Sequence, residues 1–145
     1  MKKLLLATTA TALLSGAAFA EDVKLGIVIG FTGPIESLTG HMAAAAELAM
    51  AEANASGKVA NGMVFVPVRA DSTCGDAAAA TTAAERLVTA DGVKGIVGAD
   101  CSGATGAVLQ NVARPNGIAM VSPSATSPAL STAEDDGLFF RTAPS

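Results

Sequence analysis

The chain has 145 residues, half of them hydrophobic, no Trp or Tyr, and a formal charge of −4 that becomes −6 once the two lysines of its first segment are set aside. An acidic balance argues against nucleic acid and anionic membrane surfaces as partners. The remainder of the chain, about 125 residues, is long enough for one domain, with a core of Ala, Val, Ile, Leu and Met rather than aromatic rings.

In chain order, "MKKLLLATTATALLSGAAFA" over residues 1–20 couples Lys2 and Lys3 to an apolar run from Leu4 to Leu14 and a small-x-small site at Ala18-Phe19-Ala20. This reads as a secretory signal peptide, since the run is too short and too broken by Thr and Ser for a membrane anchor. "VKLGIVIG" (Val23 to Gly30), "MVFVPVRA" (Met63 to Ala70), "VKGIVGA" (Val93 to Ala99), "GIAMVS" (Gly117 to Ser122) and "GLFFRT" (Gly137 to Thr142) are short apolar runs bounded by turns, and predict strands. Three stretches of helix formers lie between them. Met42 to Gly57 ends in a helix stop, Gly75 to Gly92 opens with Asp76 as N-cap and stops at Asp91-Gly92, and Gly103 to Gly117 closes on Pro115 and Gly117.

Alternating strands and helices predict an α/β fold, because parallel strands need helical crossovers and helices then cover both faces of the sheet. Pro67 removes a ladder donor and places the second strand at an edge. That fits a doubly wound sheet of order 2-1-3-4-5, with its switch point between strands one and three. Ligands in such sheets bind beyond the carboxyl ends of the strands. The loops expected there are "FTGPIESLTGH", "DCSGATG" and "SPSATSP", all rich in Gly, Ser and Thr. Free backbone amides and the hydroxyls of Ser102, Ser124, Thr126 and Ser127 would hold a small anion without charge, although each such loop taken alone is also an ordinary turn.

Cys74 and Cys101 are the only cysteines, and in an oxidising compartment they predict a disulfide worth about 3.5 kcal/mol on the chain-entropy account. Catalysis has little support. The stretch around Ser102 reads Asp100-Cys101-Ser102-Gly103-Ala104 and fails the nucleophile elbow at both glycine positions. His41 is the only histidine, Glu134 to Asp136 form a solvated acidic turn, and Asp71 and Asp100 have no second set of ligands nearby in sequence. No cofactor and no metal site are expected.

"EDVKLGIVIGFTGP", "AELAMAEANASGKVANG", the paired cysteines, "VSPSATSPALS" and "LFFRTAPS" together resemble the N-terminal part of bacterial periplasmic leucine/isoleucine/valine-type binding proteins, the solute receptors of branched-chain amino acid ABC transporters. The resemblance covers Glu21 to Ser145. It implies a type I periplasmic binding fold, of which this chain would be the N-terminal lobe, with the second lobe missing beyond "FRTAPS". It also implies that Ser102 and the hydroxyl and amide of Thr126 hold a ligand's α-carboxylate, that the carbonyl of Ser124 meets its ammonium group, and that Ala125 lines the same corner. The implied partners are a small molecule, an amino acid first, and a permease in the inner membrane, for a monomer in the periplasm. Leu38 and Thr39 stand where those receptors commonly place an aromatic residue, which leaves aliphatic amides and short carboxylates as alternative ligands. A sensory ligand-binding domain and a secreted hydrolase are the remaining alternatives.

Overall fold

The computed structural model describes residues 21–145; the leader read from residues 1–20 lies outside the described residues. Five strands, β1 (Asp22–Ile29), β2 (Val64–Asp71), β3 (Gly95–Gly98), β4 (Ala119–Ser122) and β5 (Phe139–Arg141), form one parallel sheet in the order β2-β1-β3-β4-β5. The α/β class and strand order are those expected from the sequence. Pro67 is exposed on the edge strand β2, where its missing N–H interrupts no ladder on the open side.

Helix α1 (Glu36–Ala55) starts six residues before the Met42 expected from composition. "ESLTGH" has turn-forming residues, yet Thr39 is fully buried there and its hydroxyl donates to the Gly30 carbonyl at 2.7 Å and to the Glu36 carbonyl at 3.1 Å. That bond satisfies a polar group inside the core, and the helix extends up to the rim of the sheet. Helix α2 (Ala77–Arg86) is capped by Asp76, whose carboxyl accepts from the amides of Ala78 at 2.8 Å and Ala79 at 3.0 Å. It runs on through a wider π-type turn at Leu87–Asp91. Helix α3 (Ser102–Val108) widens in the same way over Leu109–Ala113 before the short α4 (Arg114–Asn116). The widened turn accommodates Pro115, which cannot donate within a regular helix. Gly117 then stops the helix at φ 64°, a left-handed conformation that glycine adopts without strain.

Side-chain alternation along the strands divides the core in two. Val28, Ile96 and Met120 pack with Ala80, Leu87, Val108 and Val112 on one face of the sheet. Ile27 and Ile29 pack with Ala43 and Met50 of α1 on the other. Ile27, Val97, Val121 and Phe140 are successive register partners across that second face. Exposure rises along this row from 0% at Ile27 to 38% at Val121 and 57% at Phe140, because α1 packs chiefly over β1 and β2. Among the described residues, no helix is long and apolar enough to cross a membrane.

Candidate functional site

The carboxyl ends of β1, β2, β3 and β4 open onto one rim. The β1 ladder leaves off at Ile29, the β2 strand at Asp71, β3 at Gly98 and β4 at Ser122, so the three hydroxyl-rich loops expected at a ligand site lie together at this edge. A fourth segment, Ser72 to Gly75 after β2, joins them.

Cys74 and Cys101 form a disulfide with their Cα atoms 5.2 Å apart, linking the segment after β2 to the one after β3. Thr73 and Cys74 both have positive φ, 55° and 62°. This conformation is costly for a β-branched residue, and the Thr73 hydroxyl is also buried without a hydrogen-bond partner. The disulfide and the carboxyl of Asp71, which accepts from the Thr73 amide at 2.8 Å, help hold the turn in place.

Asp71 also organises the loop after β1. It accepts from the Phe31 amide at 3.0 Å, the Thr32 amide at 3.4 Å and the Thr32 hydroxyl at 2.6 Å. Burial pushes this carboxyl up, but the Thr32 hydroxyl and the amides of Thr73, Thr32 and Phe31 outweigh it and hold the group below its ordinary 3.8. Gly33 follows at φ +100°, where a Cβ would stand 2.6 Å from the Thr73 carbonyl oxygen; the first loop therefore rests directly on the strained turn.

The residues singled out by the resemblance are brought together around the start of α3. Ser102 is half-buried, and its oxygen accepts from the amides of Thr126 and Ser127, both at 3.1 Å. It is thus an internal acceptor whose own proton is left to donate outward. Ser124 donates its hydroxyl to the Asp100 carbonyl at 2.9 Å, and Ala125 is fully buried with its amide on the Ser122 hydroxyl at 3.0 Å. Thr126 is exposed. Not every hydroxyl of the corner is free: the Ser124 side chain and the Thr126 amide are engaged in building the loop, and the outward donors are the hydroxyls of Ser102 and Thr126. Cys101 supplies no side-chain cap to α3, so the first amides of that helix also face the rim uncapped.

Three contributors were not evident from sequence. Asp100 is buried between the loops. Ser122, the last residue of β4, donates to the Ala99 carbonyl at 2.5 Å, a bond invisible until β3 and β4 are seen side by side. Arg141 at the end of β5 donates to the carbonyls of Ala125 at 3.3 Å and Ser127 at 2.9 Å and to the Ser131 hydroxyl, clamping the 125–131 loop from below. Leu38 is exposed near the mouth of the first loop, whereas Thr39 points into the core and cannot line a ligand. His41 lies one turn further along α1, exposed. Among the described residues, no three His, Cys, Asp or Glu side chains are grouped closely enough to hold a metal ion.

Such an arrangement offers neutral hydroxyl and amide donors at one rim, and can hold the negative end of a small solute. A family model for periplasmic binding proteins matches residues 22–145. A Leu/Ile/Val-binding protein of Citrobacter freundii is 36% identical over 97% of this chain, which spans 37% of that protein. Among solved structures, the branched-chain amino acid transporter substrate-binding protein LivJ of Streptococcus pneumoniae, in complex with isoleucine, superposes with a TM-score of 0.72 at 31% identity, over 83% of this chain and 33% of its own. An ABC transporter substrate-binding protein from Desulfitobacterium hafniense in complex with Leu gives 0.73 at 26% identity, over 86% of this chain and 35% of its own. The chain thus spans about a third of the length of the proteins it matches.

Proposed function

Since the chain belongs to the periplasmic binding protein family, we propose that it forms the carboxylate-gripping rim of a solute receptor that binds a branched-chain or related amino acid and hands it to an ABC-transporter permease in the inner membrane. Residues 1–20 direct the protein to the periplasm and are removed there, and Glu21 to Ser145 form the N-terminal lobe of the receptor. The receptor acts as a monomer and without catalysis.

The single observation that supports this reading is the convergence of Ser102 and Thr126 at the start of α3, where the Ser102 oxygen accepts from the amides of Thr126 and Ser127 and so ties the two residues together. A ligand carboxylate would take hydrogen bonds from these two hydroxyls and from the uncapped amides of α3. Its ammonium group would meet the carbonyl of Ser124, and Ala125 would form the floor of the corner. Charge-assisted bonds of this kind contribute about 1.5–3 kcal/mol each. Fixed neutral donors grip an anion without stranding a second charge in the site once it closes.

Calorimetric titration of the complete native polypeptide with leucine, isoleucine, valine, an aliphatic amide and short organic acids tests the reading. Binding of at least one branched-chain amino acid is expected, with Ser102→Ala and Thr126→Ala each weakening it by about 1–3 kcal/mol. Heat from the amide alone would move the assignment to amide receptors, since the neutral rim also accommodates an uncharged carbonyl. No heat from any of them would reject it.

A further inference from the structure

The rim has a hub that no ligand needs to touch. Asp100 is only 2% exposed, and each of its carboxyl oxygens is occupied from within. Oδ2 accepts from the Gly30 amide at 2.8 Å, at the end of β1; Oδ1 accepts from the Ser72 hydroxyl at 3.0 Å, just after β2, and from the Cys101 amide at 2.9 Å. The Ser72 hydroxyl in turn accepts from the amide of Cys74 at 3.3 Å. Gly30 is packed so tightly against this junction that a Cβ there would stand 3.1 Å from the Cys74 amide nitrogen and 3.2 Å from Asp100 Oδ2.

The main chain beside this carboxyl faces the other way, toward the cradle. The Asp100 carbonyl accepts from the Ser124 hydroxyl at 2.9 Å, and the Ala99 carbonyl accepts from the hydroxyls of Ser122 at 2.5 Å and Thr105 at 3.0 Å. Ser102, two residues on, carries the amides of Thr126 and Ser127. One short segment, Ala99 to Ser102, therefore bonds through the Asp100 side chain to the ends of β1 and β2, and through its backbone and Ser102 to the loop after β4.

We propose that Asp100 is the positioning residue of the cradle: by gathering Gly30, Ser72 and Cys101 around one buried carboxyl, it fixes where Ser102 and Thr126 stand, and so sets how strongly the site holds a carboxylate that it never contacts. The proposal rests on the reading of Ser102 and Thr126 as the ligand's partners. Its physical basis is that a carboxyl offers acceptors on both oxygens, whereas an amide of the same shape must present a donor on one side. In Asp100→Asn, either Gly30 or the Ser72 and Cys101 pair would face an N–H instead of an oxygen, leaving a buried donor unmet.

The test combines binding and spectroscopy on the complete native polypeptide. Asp100→Asn should weaken leucine binding by about tenfold or more, and in the double variant with Ser102→Ala it should add less than it costs alone, because part of its effect passes through Ser102. Ser72→Ala removes one of the three bonds and should move affinity in the same direction by less, which keeps the question open to measurement if Asp100→Asn folds poorly. Asn54→Ala, which removes two bonds to the Phe65 backbone at the end of β2 opposite the rim, serves as the control for stability alone and should leave leucine affinity unchanged. Unaltered affinity in Asp100→Asn and Ser72→Ala, or losses that add fully to that of Ser102→Ala, would overturn the proposal. Should the wild type bind neither leucine nor its analogues, the functional reading fails on its own. Backbone amide resonances then decide: displacement of Ser102 and Thr126 in Asp100→Asn beyond that in Asn54→Ala supports the positioning role, and displacement limited to Gly30, Ser72 and Cys101 refutes it.

Discussion

Replacing both Cys74 and Cys101 by Ser removes a cross-link between positions 27 apart in sequence. On the chain-entropy account this frees the denatured state by about 3.5 kcal/mol. The native state gives part of that back. Thr73 and Cys74 sit at φ 55° and 62°, a conformation that disfavours non-glycine residues by roughly 1–2 kcal/mol each. Without the disulfide this turn keeps the Asp71 bond to Thr73, the Ser72 bond to Cys74 and the Gly75 amide's bond to the Thr73 carbonyl, but it is no longer tied to the segment after β3, so some of its strain is released. The net loss expected is about 2–3.5 kcal/mol. With an unfolding entropy near 2.1 cal/mol/K per residue over about 125 residues, the midpoint should fall by roughly 8–13 °C. Calorimetry of the oxidised wild type against the double variant measures this, and urea titration should show a larger m-value for the variant, whose denatured chain is less constrained. A midpoint within about 3 °C of wild type with an unchanged m-value would refute the reasoning, for it would mean that the cross-link restrains neither state.

Asp71 supplies a pH signature. Its folded-state pKa lies below the ordinary 3.8, so the folded state holds its proton less tightly than the unfolded state does, and the contribution is complete above about pH 4 and lost as pH falls through the lowered value. Asp71→Asn should therefore be less stable than wild type near neutrality, with the difference shrinking in acid below about pH 4; urea midpoints across that range measure it, and a gap that widens in acid would contradict the assignment. Gly33→Ala places a methyl 2.6 Å from the Thr73 carbonyl oxygen at φ +100°. It should lower stability by about 1–3 kcal/mol, and by less in the background lacking the disulfide, where the turn can yield. Asp76→Ala removes the cap that satisfies the amides of Ala78 and Ala79. About 1 kcal/mol and a midpoint lower by roughly 4 °C are expected in calorimetry, and no change would mean that those amides find other partners.

Much of this molecule is written in local patterns. The five apolar runs and the helix-forming stretches between them demand a parallel sheet with crossovers, because each run is too short to be buried in any other way and each connection is too long for a hairpin. Pro67 sets the edge, Asp76 sets a helix start, and Gly117 sets a helix stop, since each acts through its own backbone and needs no distant partner. The pairing of two cysteines and the gathering of hydroxyl-rich loops at one rim follow from the same topology.

What the sequence could not decide is which polar groups face inward. Thr39 looks like a loop residue and lies buried, because the Gly30 carbonyl it satisfies is nine residues away in the chain and adjacent only in the fold. Asp100 gives no sign of its task, for its partners come from the ends of three separate strands. The same holds for Ser122 and Arg141, each bonded across neighbouring loops, and for Val121 and Phe140, apolar residues exposed where α1 does not reach. Patterns along a chain record the preferences of single segments. The orientation of a hydroxyl or carboxyl in a crowded rim depends on long-range approach, and there only the assembled sheet, with every buried donor seeking an acceptor, determines the outcome.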